Sequence, residues 1–213
     1  MRSRTTWTAV VAGVLMALNL TRPARAQSWE TPSFFAPSAH DDIGLYLIDA
    51  EGGDLGFMGV WRQSGNVSFG LRAGMGGVEG NRSVLLGAEI HGSLVNPGGT
   101  NVLAISWLAG AGASFNGATW LRVPAGLSIG ARIPGSGFTI TPYVHPRVSL
   151  DVVSRDRPNG EEDTDSEVNL DVDFGADLAL GTSWVARFGL TVGEIEAFGI
   201  GLAYRIPRRI SVR

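Results

Sequence analysis

From Trp120 to Ile133 the chain alternates without a break. Leu121, Val123, Ala125, Leu127, Ile129, Ala131 and Ile133 fall on one side, and Trp120, Arg122, Pro124, Gly126, Ser128, Gly130 and Arg132 on the other. A period of two is the signature of an extended strand. A strand of this length, at about 3.3 Å per residue, reaches roughly 43 Å, and tilted near 45° it crosses about 30 Å, the hydrocarbon thickness of a bilayer. One face is wholly apolar while the other mixes arginine with glycine and serine, as expected where lipid lies on one side and a narrow polar lumen on the other.

The first 26 residues read as a secretory signal. Arg2 and Arg4 precede an apolar stretch from Ala9 to Leu18, and Ala24-Arg25-Ala26 supplies the small residues of a cleavage site. The mature chain then starts at Gln27. No other stretch approaches 18 consecutive apolar residues, so a membrane span after cleavage must be built from strands and not from helices. A soluble sandwich would bury the same apolar faces against a second sheet. Sandwich strands, however, rarely alternate for this long or carry so much glycine on the opposite face.

Composition narrows the chemistry. The chain has no cysteine, hence no disulfide framework and no thiolate chemistry. It has no lysine either: all 17 basic residues are arginines, which excludes Schiff-base, P-loop and Ser-Lys mechanisms. Without the four arginines of the signal, 13 basic residues face 20 acidic ones, a net charge near −7 that argues against nucleic-acid partners. The 30 glycines suit a closed sheet, where glycine lets strands curve and crowd a narrow interior.

Residues 27–42 have no period, contain Pro32 and Pro37, and carry Trp29, Phe34 and Phe35; they read as an extended periplasmic lead-in whose aromatics dock on the rim. Ten alternating segments follow, near 43–49, 55–62, 66–75, 83–94, 101–114, 119–133, 138–153, 167–180, 183–192 and 196–206. Short turns rich in Gly, Asn, Pro and Ser follow the even segments. Longer connections follow odd ones, including the acidic stretch Ser154 to Ser166. The expected fold is all-β, a closed antiparallel up-and-down transmembrane barrel over residues 43–206. Ten strands are preferred over eight, the latter applying if the first two segments form an irregular hairpin or inner plug. Residues 207–213 form a basic tail.

In these segments the chain resembles the small outer-membrane β-barrel proteins of Gram-negative bacteria, the broad group of OmpA-like, OmpW-like and opacity-type barrels. The most motif-like part is the last strand, Gly199-Ile200-Gly201-Leu202-Ala203-Tyr204-Arg205-Ile206, which looks like the signal read by the barrel-assembly machinery. Such barrels commonly finish on an aromatic residue, whereas here a tail from Pro207 to Arg213 follows. The resemblance implies residence in the cell outer membrane, contact with outer-membrane lipids, passage through the assembly machinery and a monomeric state, with no cofactor and no metal.

Candidate chemistry is sparse. Gly126-Leu127-Ser128-Ile129-Gly130 matches G-x-S-x-G, but a nucleophile elbow needs a sharp strand-to-helix turn and this one lies inside a strand. Glu89, His91 and Ser93 share a face, and the resemblance to consider is the lipid A deacylase barrels with their His-x-Ser pair. Theirs works at the lipid-facing surface, whereas this trio faces the lumen. Side chains two apart on a strand stand about 7 Å apart, too far for a direct proton relay. Gly74-Met75-Gly76-Gly77 has no helix after it and is no phosphate loop. Glu161, Glu162, Asp163 and Asp165 lack the glycine and spacing of a calcium loop and read as a solvated loop tip.

The remaining polar residues belong to the lumen. Tyr143, His145, Arg147, Ser149 and Asp151 point inward beside Asp171, Asp173, Asp177 and Arg187, and Arg72, Glu89, His91, Arg122, Arg132 and Arg205 join them. The expected role is a charge network in which arginines neutralise carboxylates, since an unpaired buried charge costs several kcal/mol. The alternative is a narrow, charge-selective path. The sequence therefore points to a non-enzymatic barrel with a structural or surface-interaction role, with a narrow porin-like channel as first alternative and a lipid-modifying barrel enzyme as second.

Overall fold

The computed structural model describes residues 29, 31–37, 41–49, 55–64, 68–76, 83–98, 102–115, 119–156 and 162–207. The proposed signal and residues 208–213 of the tail lie outside this set. The strands are β1 (Asp42–Asp49), β2 (Leu55–Gln63), β3 (Ser68–Gly76), β4 (Ser83–Val95), β5 (Leu103–Phe115), β6 (Thr119–Ala131), β7 (Ile133–Pro134), β8 (Phe138–Asp156), β9 (Glu162–Leu180), β10 (Trp184–Gly193) and β11 (Ala197–Arg205). Sequential neighbours pair antiparallel, β11 returns to β1, and β6 pairs with β8, so the sheet has no free first or last strand. β7 is a two-residue continuation of β6 beyond Arg132, and the cylinder has ten staves. Closure satisfies the edges that a bilayer would leave without partners.

The alternation sets which way each side chain points. Ile43, Leu45 and Leu47 on β1, Leu121, Val123 and Leu127 on β6, and Phe198, Ile200 and Leu202 on β11 are all exposed on the outer wall. Their inward neighbours Tyr46, Ile48, Arg122, Ser128 and Ala203 are buried. An apolar exterior around a polar interior inverts the order of a soluble protein, and lipid is the solvent that makes it stable. The fold is that of a small transmembrane β-barrel.

Two expectations about the elements need correction. Much of the expected loop Ser154 to Ser166 is strand: β8 runs to Asp156 and β9 starts at Glu162, with Val152 opposite Ser166, Ser154 opposite Thr164 and Arg155 opposite Asp163, and residues 157–161 lie outside the described set. Asp163 and Asp165 lie on β9, while Glu161 lies outside the described residues. β9 is paired with β10 only from Asp171 onward, so Glu162–Leu170 rises beyond β10 with β8 as its one described neighbour. The polar composition over 164–168 goes with exposure of both faces and not with the absence of a strand. The strand from Trp120 to Ile133 is also interrupted, because the ladder breaks at Arg132.

The larger correction concerns the lead-in, whose described residues 29 and 31–37 do not dock on the rim. Trp29, Phe34 and Phe35 are at most 1% exposed and lie inside the cylinder. Phe34 packs with Tyr46, Ile48, Met58, Val60 and Leu85, and Trp29 and Phe35 pack with Leu108. Inward-facing glycines vacate the space: a Cβ at Gly110 would meet Trp29, one at Gly189 would meet Pro32, one at Gly199 would meet Phe34 and one at Gly130 would crowd Pro37. Burying an aromatic side chain is worth about 1.5–3 kcal/mol, so an aromatic-rich segment beside a lumen lined with small residues is more stable inside it than on its rim. Phe34 has φ 49°, the one left-handed non-glycine among the described residues, at a cost of about 1–2 kcal/mol. Its stacking on Tyr46, with ring centroids 4.3 Å apart, helps hold that conformation.

Candidate functional site: the filled lumen

Four polar clusters line the interior, and every one uses the inward rows of the alternation. On β2, β3 and β4, Arg62 Nε donates to Glu89 Oε1 and Arg72 Nη2 donates to Glu89 Oε2, both at 2.6 Å. All three side chains are buried, so one carboxylate stands between two guanidiniums. His91 Nδ1 lies 3.8 Å from Glu89, and its ring is 5.0 Å from that of Phe35.

On β6, β8 and β9, Arg122 grips Asp151 with Nε at 2.5 Å and with Nη2, the two residues being direct cross-strand partners. Asn169 donates to the same carboxylate at 2.6 Å, and Asp171 stands 3.8 Å from Arg122. Arg147 pairs with Asp173 at 3.4 Å, and Thr191 donates to Asp173 at 2.8 Å. On β10, Arg187 donates to Asp177 at 3.0 Å, to Asp42 at 2.5 Å and to the Tyr46 hydroxyl at 2.8 Å.

Thirteen of the fifteen expected lumen residues are therefore buried in the interior: Arg72, Glu89, His91, Arg122, Tyr143, His145, Arg147, Ser149, Asp151, Asp171, Asp173, Asp177 and Arg187. Arg132 is not among them. It is exposed at the break between β6 and β7, where the strand has reached the mouth, and its backbone N–H donates to Val102. Arg205 also sits at this end, half-buried. The sequence reading missed Arg62, Asp42, Asn169 and Thr191 as network members, and it missed the central partner, the segment itself.

That segment is held chiefly at its main chain. Arg62 donates through Nη1 to the Phe34 carbonyl at 2.9 Å and through Nη2 to the Ser33 carbonyl at 2.8 Å. Arg72 reaches the Ser33 carbonyl at 3.3 Å, and Arg122 reaches that of Trp29 at 3.4 Å. Ser128 Oγ donates to the Phe35 carbonyl and Ser106 Oγ to that of Pro37, both at 2.6 Å. The Ser33 N–H donates to Asp173 Oδ2 at 3.0 Å. The Arg72 guanidinium lies 3.4 Å from the centroid of the Trp29 ring, a cation–π contact removed from water.

The geometry limits the chemistry available. Ser33, His145 and Asp173 are a serine, a histidine and an aspartate within reach, but Ser33 Oγ at 2.8 Å and Asp173 Oδ2 at 3.3 Å both address His145 Nδ1. A relay needs the serine on one ring nitrogen and the acid on the other. Ser128 is fully buried and spends its hydroxyl on Phe35. Ser93 is exposed and bonds Asn96, turned away from His91. Among the described residues no group of three His, Asp or Glu side chains converges as a metal site.

No protein-family model matches the chain, and no curated protein does. Similar solved structures are barrels. The N-terminal β-barrel domain of Pseudomonas aeruginosa OprF is 9% identical with a TM-score of 0.41, covering 78% of this chain and 97% of that one. The KdgM porin is 7% identical with a TM-score of 0.37, covering 78% and 99%. Ail, the attachment invasion locus protein of Yersinia pestis, is 12% identical with a TM-score of 0.31, covering 78% and 95%.

Proposed function

We propose that the protein is a non-enzymatic barrel of the outer membrane with a structural or surface-interaction role, sealed at rest by its own N-terminal segment. The supporting observation is the occupied lumen: the described residues 29 and 31–37 lie inside the cylinder, and wall side chains hold five of their carbonyls. The buried arginines face carboxylates of comparable number, so the interior presents paired charge and not a one-signed lining. A barrel of this size has little interior to spare beyond its own side chains, and a threaded segment takes what remains. Its partners are outer-membrane lipids and, during biogenesis, the barrel-assembly machinery; it acts as a monomer without a cofactor.

Planar-bilayer recording on refolded protein tests the reading. The expected trace is silent at moderate voltage. A stable unit conductance would instead assign the chain as a narrow porin-like channel. For the lipid-modifying alternative the informative variant is His91→Ala. The lipid A profile of the host should be unchanged, because His91 is buried against Phe35 and Glu89 and has no route to a lipid acyl chain.

A further inference from the structure

The segment 29–37 is bound in a different way from every strand. Among the described residues no backbone–backbone hydrogen bond ties it to the wall; it is held by side chains reaching its carbonyls and by pockets for its rings. Recognition of main-chain carbonyls by fixed donors reads a peptide backbone without reading most of its side chains. Two features add selectivity, the Gly199 and Tyr46 pocket for Phe34 and the Arg72 platform for Trp29.

The direction of threading also matters. Pro37 lies beside Ser106 and Gly130, near the mouth where β1 begins, whereas Trp29 lies deeper, beside Gly110 and Arg122. The segment is thus a tongue that runs from Trp29 in the interior to Pro37 near that mouth, where β1 also begins. At the same mouth a cavity of about 560 Å³ opens between Asp41, Trp61, Arg62, Ser64 and Pro207. The left-handed φ at Phe34 is a strained conformation that the bound position imposes.

We propose that the inner wall is a binding site for a polypeptide segment carrying aromatic residues and proline, occupied at rest by residues 29 and 31–37 of the same chain and open to exchange through the mouth at Asp41. This rests on the sealed-barrel reading above and adds a ligand class to it. The chain has no cysteine, so an engineered pair supplies its only thiols. In Pro32→Cys/Gly189→Cys, a Cβ at position 189 falls 2.6 Å from that of residue 32. A disulfide prefers roughly 3.5–4.5 Å, so the tongue must give by about an ångström to be locked.

The probe is a fluorescent synthetic peptide with the sequence of residues 29–37, and the readout is its anisotropy with the full chain in micelles. We expect saturable binding to the wild-type and reduced double variant, weakened at least tenfold on oxidation because the competent, tongue-out fraction falls, and restored by reductant. Binding that ignores the lock, or no binding to the wild type and reduced forms, overturns the exchange site. Where this variant fails to show a heat-dependent gel shift, Pro37→Cys/Gly130→Cys serves in its place, judged by the same outcomes. Conductance separates the two readings: a silent barrel that does not bind peptide removes only the exchange site, whereas a barrel that conducts equally when locked and unlocked removes the seal.

Discussion

Glu89 carries more of the interior than its single charge suggests. It is the carboxylate between Arg62 and Arg72, and those guanidiniums in turn hold the carbonyls of Ser33 and Phe34. Glu89→Gln keeps the shape and removes the carboxylate charge that Arg62 and Arg72 share. Breaking a buried pair in this way costs about 3–5 kcal/mol, so the midpoint of the heat-dependent gel shift should fall clearly below that of the wild type. At this scale the sequence was legible wherever the alternation was clean. Arg122 and Asp151 share a rung, as do Arg187 and Asp177, and simple inward–outward counting puts all four in the lumen. Arg62 was hidden because the inner face of β2 also carries Met58 and Val60, apolar residues that blur the two faces. They are apolar because they pack on Phe34, so a strand apolar on both faces was the available sign that something lies inside.

Among the elements, the ten staves follow the expected segments to within a few residues over most of the chain, because lipid on one side imposes period two. That constraint ends where the membrane ends. The upper parts of β8 and β9 stand in water, so nothing demands an apolar face. Asp163 and Asp165, opposite Arg155 and Val153, therefore read as a loop although their backbones are laddered. Because Glu162–Val168 lacks a β10 partner and residues 164–168 are exposed, this part of β9 is separable from the closed sheet below. Replacing residues 154–164 with a two-residue Asn-Gly turn should leave the protein folded and its gel shift intact. Proteolysis or loss of the shift in that variant would show that the hairpin is needed for closure.

The largest gap between the residues and the molecule lies in residues 29–37. Taken locally, an aperiodic run with prolines and aromatics says only that it is no strand. Its destination is set by volumes far away in sequence, at Gly110, Gly130, Gly189 and Gly199. Seen as one body, the segment also spans the cylinder. Ser33 is bonded on one side to Asp173 of β9 and on the other to Arg62 of β2, and Phe35 is bonded to Ser128 of β6. A hollow tube resists lateral squeezing only through the bending stiffness of its wall, whereas a tube with a strut carries the load across its diameter. Close-packed interiors are nearly incompressible. The lateral pressure of the bilayer on this barrel is accordingly borne in part by its N-terminal segment, which keeps the cross-section round as well as closed.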